Sequence, residues 1–383
     1  MARHYLDHAS TSPPRPEAVA AMVAWLGSSR RDAGDPGRVH TEGRIVRSTV
    51  EEARQKVAVF LGVRPRQVVF TSGGTEAVNA ATWGATRARP GRPTLLADVE
   101  HSSVRDASGR AGDVVRLEVD GLGRIDPGRV ADALDDAARH GPPAALVQCQ
   151  FANHEVGTIQ PVPDVVEICG RHDVLVHVDA CTAAGHLELD LEELGADLVS
   201  VSAHKLGGPP GVGALVVRRG LRVEPFLVGG EQERARRGGL ENLLGIVGFA
   251  AAAEALSEPG RLARESAESK RRTEAIVAAA TSVDDVQVLG DRDRRAPHLV
   301  CVAVGGVEAE PVLLGLDQHG IAAHSGSSCS SESLAPSPVL AAMGVDAERS
   351  LRLSVGWSTT DDDVEAFATA FPRVVAQLRA LRA

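Results

Sequence analysis

The fold is decided by two neighbouring apolar stretches, VLVHVDA at residues 174–180 and LVSVSAHK at residues 198–205. Each is a short run rich in valine and leucine, which is typical of a strand buried on both faces. Each stretch carries a charged residue at its end, Asp179 in the first and Lys205 in the second. Ligands of open α/β sheets bind at the carboxyl ends of the strands. We therefore expect Asp179 and Lys205 to face one site, and a cap of the following helix is the alternative for Asp179.

Similar apolar runs recur through the first two thirds of the chain, separated by amphipathic helical patterns. The predicted strands are residues 68–71, 94–97, 144–148, 174–178, 198–201 and 214–217. The predicted helices between them include residues 77–89, 130–139 and 163–171. Strands that alternate with helices predict an α/β fold, with a mostly parallel sheet covered by helices on both faces.

The pattern changes after about residue 255, at the turn sequence SEPG. The elements predicted beyond it are a charged helix at 261–280, strands at 298–304 and 351–355, a helix around 310–319, and a C-terminal helix opened by three aspartates at 361–363. We therefore predict a large domain at residues 15–255 and a smaller α+β domain at 256–383. Residues 1–14 are expected to pack with the smaller domain.

The composition is that of a globular protein, with 43% apolar and 24% charged residues among 383. The longest apolar run covers residues 243–253, whereas a membrane-spanning helix needs about 20 apolar residues. We find no pattern of a signal peptide and expect a cytoplasmic location. The net charge of −10 argues against a general nucleic-acid or membrane-surface binder.

The five cysteines contain no Cys-x-x-Cys pair, so neither a disulfide framework nor a metal site is predicted. Cys329 lies among small polar residues in the stretch HSGSSCSS, at 324–331, which is typical of an exposed loop. Its thiol is a candidate nucleophile, and an inert loop cysteine is the alternative. Cys149, Cys169, Cys181 and Cys301 have apolar neighbours and are predicted to be core residues.

Lysine is rare in this chain, since Lys56, Lys205 and Lys270 are the only lysines among 41 basic residues. Lys205 follows a predicted buried strand and enters the loop LGGPPG, at 206–211. Desolvation there would lower the pKa of its amine and make it nucleophilic toward a carbonyl. The alternative is a surface lysine whose stem packs on apolar residues.

Three further features are candidates for binding. The stretch TSGGTE, at 71–76, joins a strand to a helix, and the free N–H groups of such a helix N-terminus attract a phosphate. His101 follows a predicted strand and is a candidate acid, base or stacking group. Arg352 alternates with apolar residues and is suited to bind a carboxylate. An ordinary turn, a structural histidine and a structural arginine are the alternatives.

In this order along the chain, the motifs resemble those of the cysteine desulfurases of the NifS/IscS type. That group belongs to the class V aminotransferases, which are pyridoxal-phosphate enzymes of fold type I. The motifs that carry the resemblance are YLDHASTSP (5–13), DPGRVH (35–40), FTSGGTE (70–76), EH (100–101), NHEVG (153–157), HVDA (177–180), SAHK (202–205), SGSSC (325–329) and LRLSVG (351–356).

The resemblance implies a role for each candidate residue. Lys205 would hold pyridoxal phosphate as a Schiff base and move the α-proton of the substrate, and Asp179 would pair with the pyridinium nitrogen. His101 would stack on the cofactor ring and assist proton transfer. The remaining cofactor contacts would come from Gly74, Thr75, Glu76, Asn153, His154, Thr182, Ser202 and His204.

The resemblance also implies the reaction. Arg352 and Asn153 would hold the carboxylate of L-cysteine, and Cys329 would attack its sulfur. The products would be L-alanine and a persulfide on Cys329, which a sulfur-acceptor protein receives in iron–sulfur assembly or tRNA thiolation. A homodimer is expected, with no membrane and no direct nucleic-acid contact. The alternatives are another class V enzyme, such as a selenocysteine or C–S lyase or an aminotransferase, and a non-catalytic sulfur-transfer scaffold.

Three positions depart from the pattern of that group. His154 stands where the second asparagine of an Asn-Asn-Glu motif is usual, and Thr182 where a glutamine near the cofactor phenolic oxygen is usual. Leu240 replaces a threonine that commonly reaches the phosphate of the neighbouring subunit. From these departures we expect weaker cofactor binding or an altered substrate.

Overall fold

The computed structural model describes residues 2–27, 34–325 and 336–381. The strands in these ranges are β1 (His4–Tyr5), β2 (Val68–Thr71), β3 (Thr94–Ala97), β4 (Val114–Leu117), β5 (Leu146–Gln150), β6 (Leu175–Asp179), β7 (Leu198–Ser202), β8 (Gly213–Val217), β9 (Val286–Leu289), β10 (Leu299–Val304), β11 (Ile321–Ala322) and β12 (Ser350–Ser354). The helices are α1 (Pro16–Gly27), α2 (Thr41–Phe60), α3 (Gly74–Ala88), α4 (Ser102–Ala111), α5 (Pro127–His140), α6 (Val162–Arg171), α7 (Leu191–Leu194), α8 (Gln232–Ala235), α9 (Leu243–Leu256), α10 (Arg261–Thr281), α11 (Ala309–Gln318), α12 (Pro338–Ala342) and α13 (Asp361–Ala380).

A seven-stranded sheet forms the centre of the molecule, in the order β2-β8-β7-β6-β5-β3-β4. Strand β8 runs antiparallel to both of its neighbours, and the other pairs are parallel. Every residue of β2, β3, β5, β6, β7 and β8 is buried. Near-continuous burial is expected of strands covered on both faces. The predicted α/β class with a mostly parallel sheet is therefore confirmed.

A smaller antiparallel sheet, in the order β12-β10-β9, lies in the C-terminal part. Successive residues of β10 point to opposite faces. Val300 and Val302 join a cluster with Phe367 and Phe371 of α13, whereas Cys301 between them belongs to the larger cluster around the main sheet. The small sheet thus has an apolar layer on each face. The predicted division at residues 255 and 256 stays a prediction.

The C-terminal helix shows how local sequence sets an element boundary. Thr360 and Asp363 form a capping box, in which the Asp363 carboxylate accepts from the Thr360 N–H at 2.7 Å. The helix then continues through Pro372 to Ala380. Within the described ranges, no helix is both long enough and apolar enough to cross a membrane.

The N-terminal segment connects the small cluster to the end of β7. Strand β1 pairs in parallel with β11, and Leu6 is buried in the cluster of Phe367. Farther along, the Ser12 N–H donates to the His204 carbonyl at 2.9 Å, and Arg15 Nε donates to the Leu206 carbonyl at 2.9 Å. The segment therefore fixes the turn that carries Lys205.

A buried ion pair holds a strained loop against the main sheet. Arg54 of α2 contacts both carboxylate oxygens of Glu233, at 2.6 and 2.7 Å, and the Phe70 N–H donates to Glu233 at 2.9 Å. Glu233, Arg234 and Ala235 have φ angles of 48°, 60° and 60°, which residues other than glycine rarely adopt. The ion pair compensates for the strain in this loop.

We expect Arg54→Met to lower the free energy of unfolding by about 3–5 kcal/mol, because the Glu233 carboxylate would remain buried without its cation. Chemical denaturation measures this loss. The double variant Arg54→Met, Glu233→Gln should lose less, since no charge is left buried. The matched control is Arg171→Met, which removes an exposed pair with Glu167 and should cost at most about 1 kcal/mol. Equal losses in Arg54→Met and the control would contradict the role of the buried pair.

Candidate active site

A cleft of about 390 Å³ opens at the carboxyl ends of β5, β6 and β7. The predicted site residues in its wall are Gly74, Thr75, His101, His154, Asp179, Thr182, Ser202, His204, Lys205 and Arg352. They come from loops and strand ends that are far apart in the sequence. The sheet brings them together because its parallel strands end at one edge.

Three predicted site residues are not found in this wall. The Glu76 carboxylate accepts from the Ser72 N–H at 2.8 Å and from Arg237 Nε at 2.9 Å. The Asn153 side-chain oxygen accepts from two backbone N–H groups at 2.8 Å each. Both side chains shape the loops around the cleft, and their direct contact with a cofactor stays a prediction. Cys329 lies outside the described residues.

Lys205 differs from the other two lysines in its surroundings. It ends a short 3-10 turn, Ala203–Lys205, that follows β7 directly, and it is half-buried in the wall of the cleft. Lys56 and Lys270 are exposed instead and pair with Glu254 and Glu274 on the surface. Of the three lysines, Lys205 is thus placed to react with a ligand in the cleft.

Asp179 is the last residue of β6 and is only 9% exposed. Its Oδ1 accepts from the Cys181 N–H at 3.0 Å, which fixes the carboxylate at the strand end. Two residues upstream, on the same face of the sheet, His177 shares hydrogen bonds with Gln148 and Ser200. Burial lowers the pKa of His177 to about 4, so this polar layer beneath Asp179 is neutral at pH 7.

His101 caps helix α4 and lies in the cleft wall. Its Nδ1 is 3.1 Å from the Ser103 backbone nitrogen and 2.8 Å from the Ser103 hydroxyl. Its ring meets the His154 ring edge to face, with centroids 5.0 Å apart. Burial lowers the pKa of His101, and the positive charge of Lys205 lowers it further. A neutral imidazole in this position can accept a proton.

The N-terminus of α3 forms an open cradle for an anion. The helix begins at Gly74, and its cap residue, Gly73, offers no side chain to its first N–H groups. A Cβ on Gly74 would lie 2.6 Å from Cys181 Sγ, so only glycine leaves room here. The Ser202 hydroxyl nearby is buried and has no hydrogen-bond partner among the described residues. Free N–H groups and an unpaired hydroxyl fit a phosphate.

Arg352 is buried and anchored in the wall of the same cleft. Its Nη1 donates to the His154 carbonyl at 2.9 Å, and its Nη2 donates to Asp7 at 2.9 Å and Ser10 at 2.6 Å. Its Nε is buried and has no partner in the part of the chain that the structure describes. A fixed guanidinium with an unused N–H fits a substrate carboxylate.

Sequence reasoning missed several residues of the cleft wall, namely Ser10, Ser103, Gln150, Cys181 and His324. Each is near a predicted residue or motif, and that proximity is the signal that could have found them. Asp7 was missed as the anchor of Arg352, because no local pattern joins residues 345 positions apart. The four cysteines predicted to be core residues are buried, as expected.

Comparison with known proteins identifies the class. Residues 4–367 match the aminotransferase class-V family, and the chain belongs to this family of pyridoxal-phosphate-dependent proteins. "Cysteine desulfurase IscS" of Dictyoglomus turgidum is 37% identical over 391 residues, which cover 98% of this chain and 95% of that protein. The predicted resemblance is therefore confirmed.

Two solved structures are similar along their whole length. A "NifS-like protein" superimposes with a TM-score of 0.88 at 28% identity, covering 98% of this chain and 100% of that one. "SspA in complex with cysteine" superimposes with a TM-score of 0.79 at 26% identity, covering 93% of this chain and 100% of that one. The predicted fold type I architecture is confirmed.

The neutral histidines make folding stability depend on pH. The folded-state pKa of His177 is about 4, and the unfolded-state pKa is about 6.5. Between about pH 4 and pH 6.5, His177 is therefore protonated in the unfolded chain and neutral in the folded chain. Stability should therefore be full above about pH 6.5 and fall with decreasing pH, by about 1.4 kcal/mol per pH unit for this group. Urea denaturation at several pH values measures the slope.

His177→Gln should reduce that slope between about pH 4 and 6.5, since the variant lacks the titrating group. His140→Gln is the matched control, because the His140 side chain is 72% exposed, and it should keep the slope of the parent. If His177→Gln kept the parent slope as well, His177 would not be a buried neutral imidazole.

The close approach of Gly74 to Cys181 predicts that a methyl group on residue 74 would weaken cofactor binding. We expect Gly74→Ala to weaken pyridoxal-phosphate binding by about tenfold or more, which corresponds to about 1.4 kcal/mol, because the methyl would displace Cys181 and the first turn of α3. Adding Cys181→Ala should restore most of the affinity. Titration of the visible absorption measures both. Gly109→Ala, with no atom within 4 Å of its new methyl, is the control. Full affinity in Gly74→Ala would contradict the assignment.

Proposed function

We propose that this chain is a pyridoxal-phosphate-dependent cysteine desulfurase that converts L-cysteine to L-alanine and carries the sulfur as a persulfide on Cys329. One observation carries the proposal. The cleft holds an accessible lysine, a buried carboxylate, an anion cradle and an anchored arginine within one wall. The relatives named cysteine desulfurase along nearly the full chain support the choice of reaction.

The residues of the cleft fit the cofactor. Pyridoxal phosphate, when bound, supplies an electron sink for the bonds around the Cα atom of an amino acid. Lys205 would hold its aldehyde carbon and afterwards move a proton at the substrate Cα. Asp179 would stabilise the protonated ring nitrogen. The N–H groups at Gly74 and Thr75 and the hydroxyl of Ser202 would bind the phosphate.

Other residues handle the substrate. Arg352 would hold the carboxylate of L-cysteine through its fixed guanidinium, and the neutral ring of His101 would transfer protons at the reacting groups. The Cys329 thiolate would attack the substrate sulfur. A sulfur–sulfur bond forms, the carbon–sulfur bond breaks, and its electron pair stays on carbon, which a proton then converts to the methyl group of alanine.

Several finer properties belong to the same proposal. A sulfur-acceptor protein would take the persulfide sulfur, for iron–sulfur assembly or tRNA thiolation, in a cytoplasm that keeps thiols reduced. A homodimer is proposed from the family resemblance. Leu240 is 64% exposed, in a loop that the Arg237–Glu76 pair holds beside the start of α3. In a dimer this loop would contact the neighbouring subunit.

The reaction can be tested at the thiol. Cys329→Ala should keep the visible absorption of the loaded enzyme and form no persulfide, with alanine formation reduced by at least about a hundredfold, because the nucleophile is missing. Alanine assay and mass spectrometry of the protein measure these effects. Cys149→Ala removes a buried thiol instead and is the matched control for persulfide formation. Alanine formation at the parent rate in Cys329→Ala would contradict the role of Cys329. Pyruvate or a keto acid as the product of the parent enzyme would favour a lyase or an aminotransferase.

A further inference from the structure

His154 provides a second imidazole in the cleft. Its ring contacts the ring of His101, and its side chain is only 12% exposed. Its Nδ1 is buried and has no hydrogen-bond partner within residues 2–27, 34–325 and 336–381. A buried polar atom without a partner costs free energy, so such an atom in a ligand cleft indicates a contact that the ligand supplies.

The other ring nitrogen faces a carboxylate that is held in place. His154 Nε2 lies 3.6 Å from Glu155 Oε1. The Ser337 hydroxyl donates to Glu155 Oε2 at 2.6 Å, and Ser337 also caps helix α12 by accepting from the Leu340 N–H. A carboxylate beside Nε2 favours the tautomer with its proton on Nε2. The Nδ1 atom of His154 is then a hydrogen-bond and proton acceptor.

Positive charges surround His154 on its other sides. Burial lowers the pKa of His154 well below its ordinary value, and the positive charges of Lys205, Arg352 and Arg105 lower it further. Two of these charges are compensated when the site is filled. Lys205 would hold the cofactor aldehyde through an imine nitrogen, which is less basic than the free amine, and Arg352 would be paired when it binds a carboxylate. The basicity of His154 therefore increases in two steps, first when the cofactor binds and then when the substrate carboxylate pairs with Arg352.

We propose that His154 removes a proton from the α-ammonium group of the incoming amino acid, with Glu155 as its positioning residue. An N–H bond of the ammonium breaks, its electron pair stays on the substrate nitrogen, and the proton joins Nδ1 of His154. The substrate becomes an amine whose nitrogen could attack the cofactor carbon that Lys205 would hold, and the Lys205 amine would be the leaving group. Glu155 stabilises the resulting imidazolium. Arg352 places the substrate beside this ring, because its Nη1 is bound to the His154 carbonyl.

The inference rests on the proposed function only for the identity of the amino acid, so it can be tested without sulfur chemistry. L-Alanine has the same ammonium and carboxylate groups and needs no thiol. The loaded enzyme is mixed with L-alanine from pH 6.5 to 9.5, and the rate of change of the visible spectrum is followed. In parallel, sulfide release from L-cysteine reports on the proposed function separately.

His154→Asn should slow the spectral change by about a hundredfold near pH 7, which is in the range of general base catalysis. The difference should vanish toward high pH, where the free amine form of alanine becomes abundant. The exposed His140→Asn is the matched control and should behave as the parent at every pH. Parent rates in His154→Asn, or a loss that is equal at all pH values, would overturn the proposal.

A second readout needs neither cofactor nor turnover. In the full chain labelled with ¹⁵N-histidine and freed of cofactor, the nitrogen chemical shifts of His154 should show the tautomer protonated at Nε2. Glu155→Gln should shift the population toward the form protonated at Nδ1, and Ser337→Ala should do so to a smaller extent. A parent ring protonated at Nδ1, or shifts that Glu155→Gln leaves unchanged, would contradict the positioning role of Glu155.

Discussion

The site depends on the parallel alignment of β5, β6 and β7. Hydrogen bonding between these strands places Gln150 opposite Asp179 and Asp179 opposite Ser200, so that β5 and β6 end at one level and β7 ends two residues farther on, at Ser202. The turn that follows β7 then carries Lys205 into the same cleft as Asp179. A shift of β6 by one residue would turn Asp179 to the other face of the sheet. The register of β5, β6 and β7 is thus required both for packing of the sheet and for the placement of Asp179 and Lys205 in one cleft.

The second condition is an uneven distribution of charge in the cleft. Lys205 and Arg352 are cations, and the carboxylates of Asp179 and Asp7 in the same site are fixed by hydrogen bonds. The imidazoles between them are buried and neutral. Such a site attracts an anionic cofactor and the carboxylate of an amino acid, and it keeps neutral bases ready to take up protons. The N-terminal segment contributes to this arrangement, because it supplies the anchor of Arg352.

The sequence was sufficient to predict six of the seven strands of the main sheet, because residues buried on both faces give near-continuous apolar runs. Strand β4 was missed because it lies at the sheet edge, where Arg116 is exposed. Helix α9 was noticed only as an apolar run, since a helix that is apolar on all sides shows no amphipathic period. The residues of the cleft were predicted mainly from motifs. Contacts such as Arg54–Glu233 and Arg352–Asp7 join distant positions, and only the folded topology reveals them.

In the proposed enzyme, Lys205 is the residue that forms a bond with the cofactor. Borohydride reduction of the loaded protein makes this bond permanent, and peptide mass spectrometry then locates it among Lys56, Lys205 and Lys270. We expect a pyridoxyl mass increment on the peptide that contains Lys205 and none on the peptides that contain Lys56 and Lys270. An increment on Lys56 or Lys270 alone, or a loaded protein without any such increment, would show that Lys205 does not hold the cofactor.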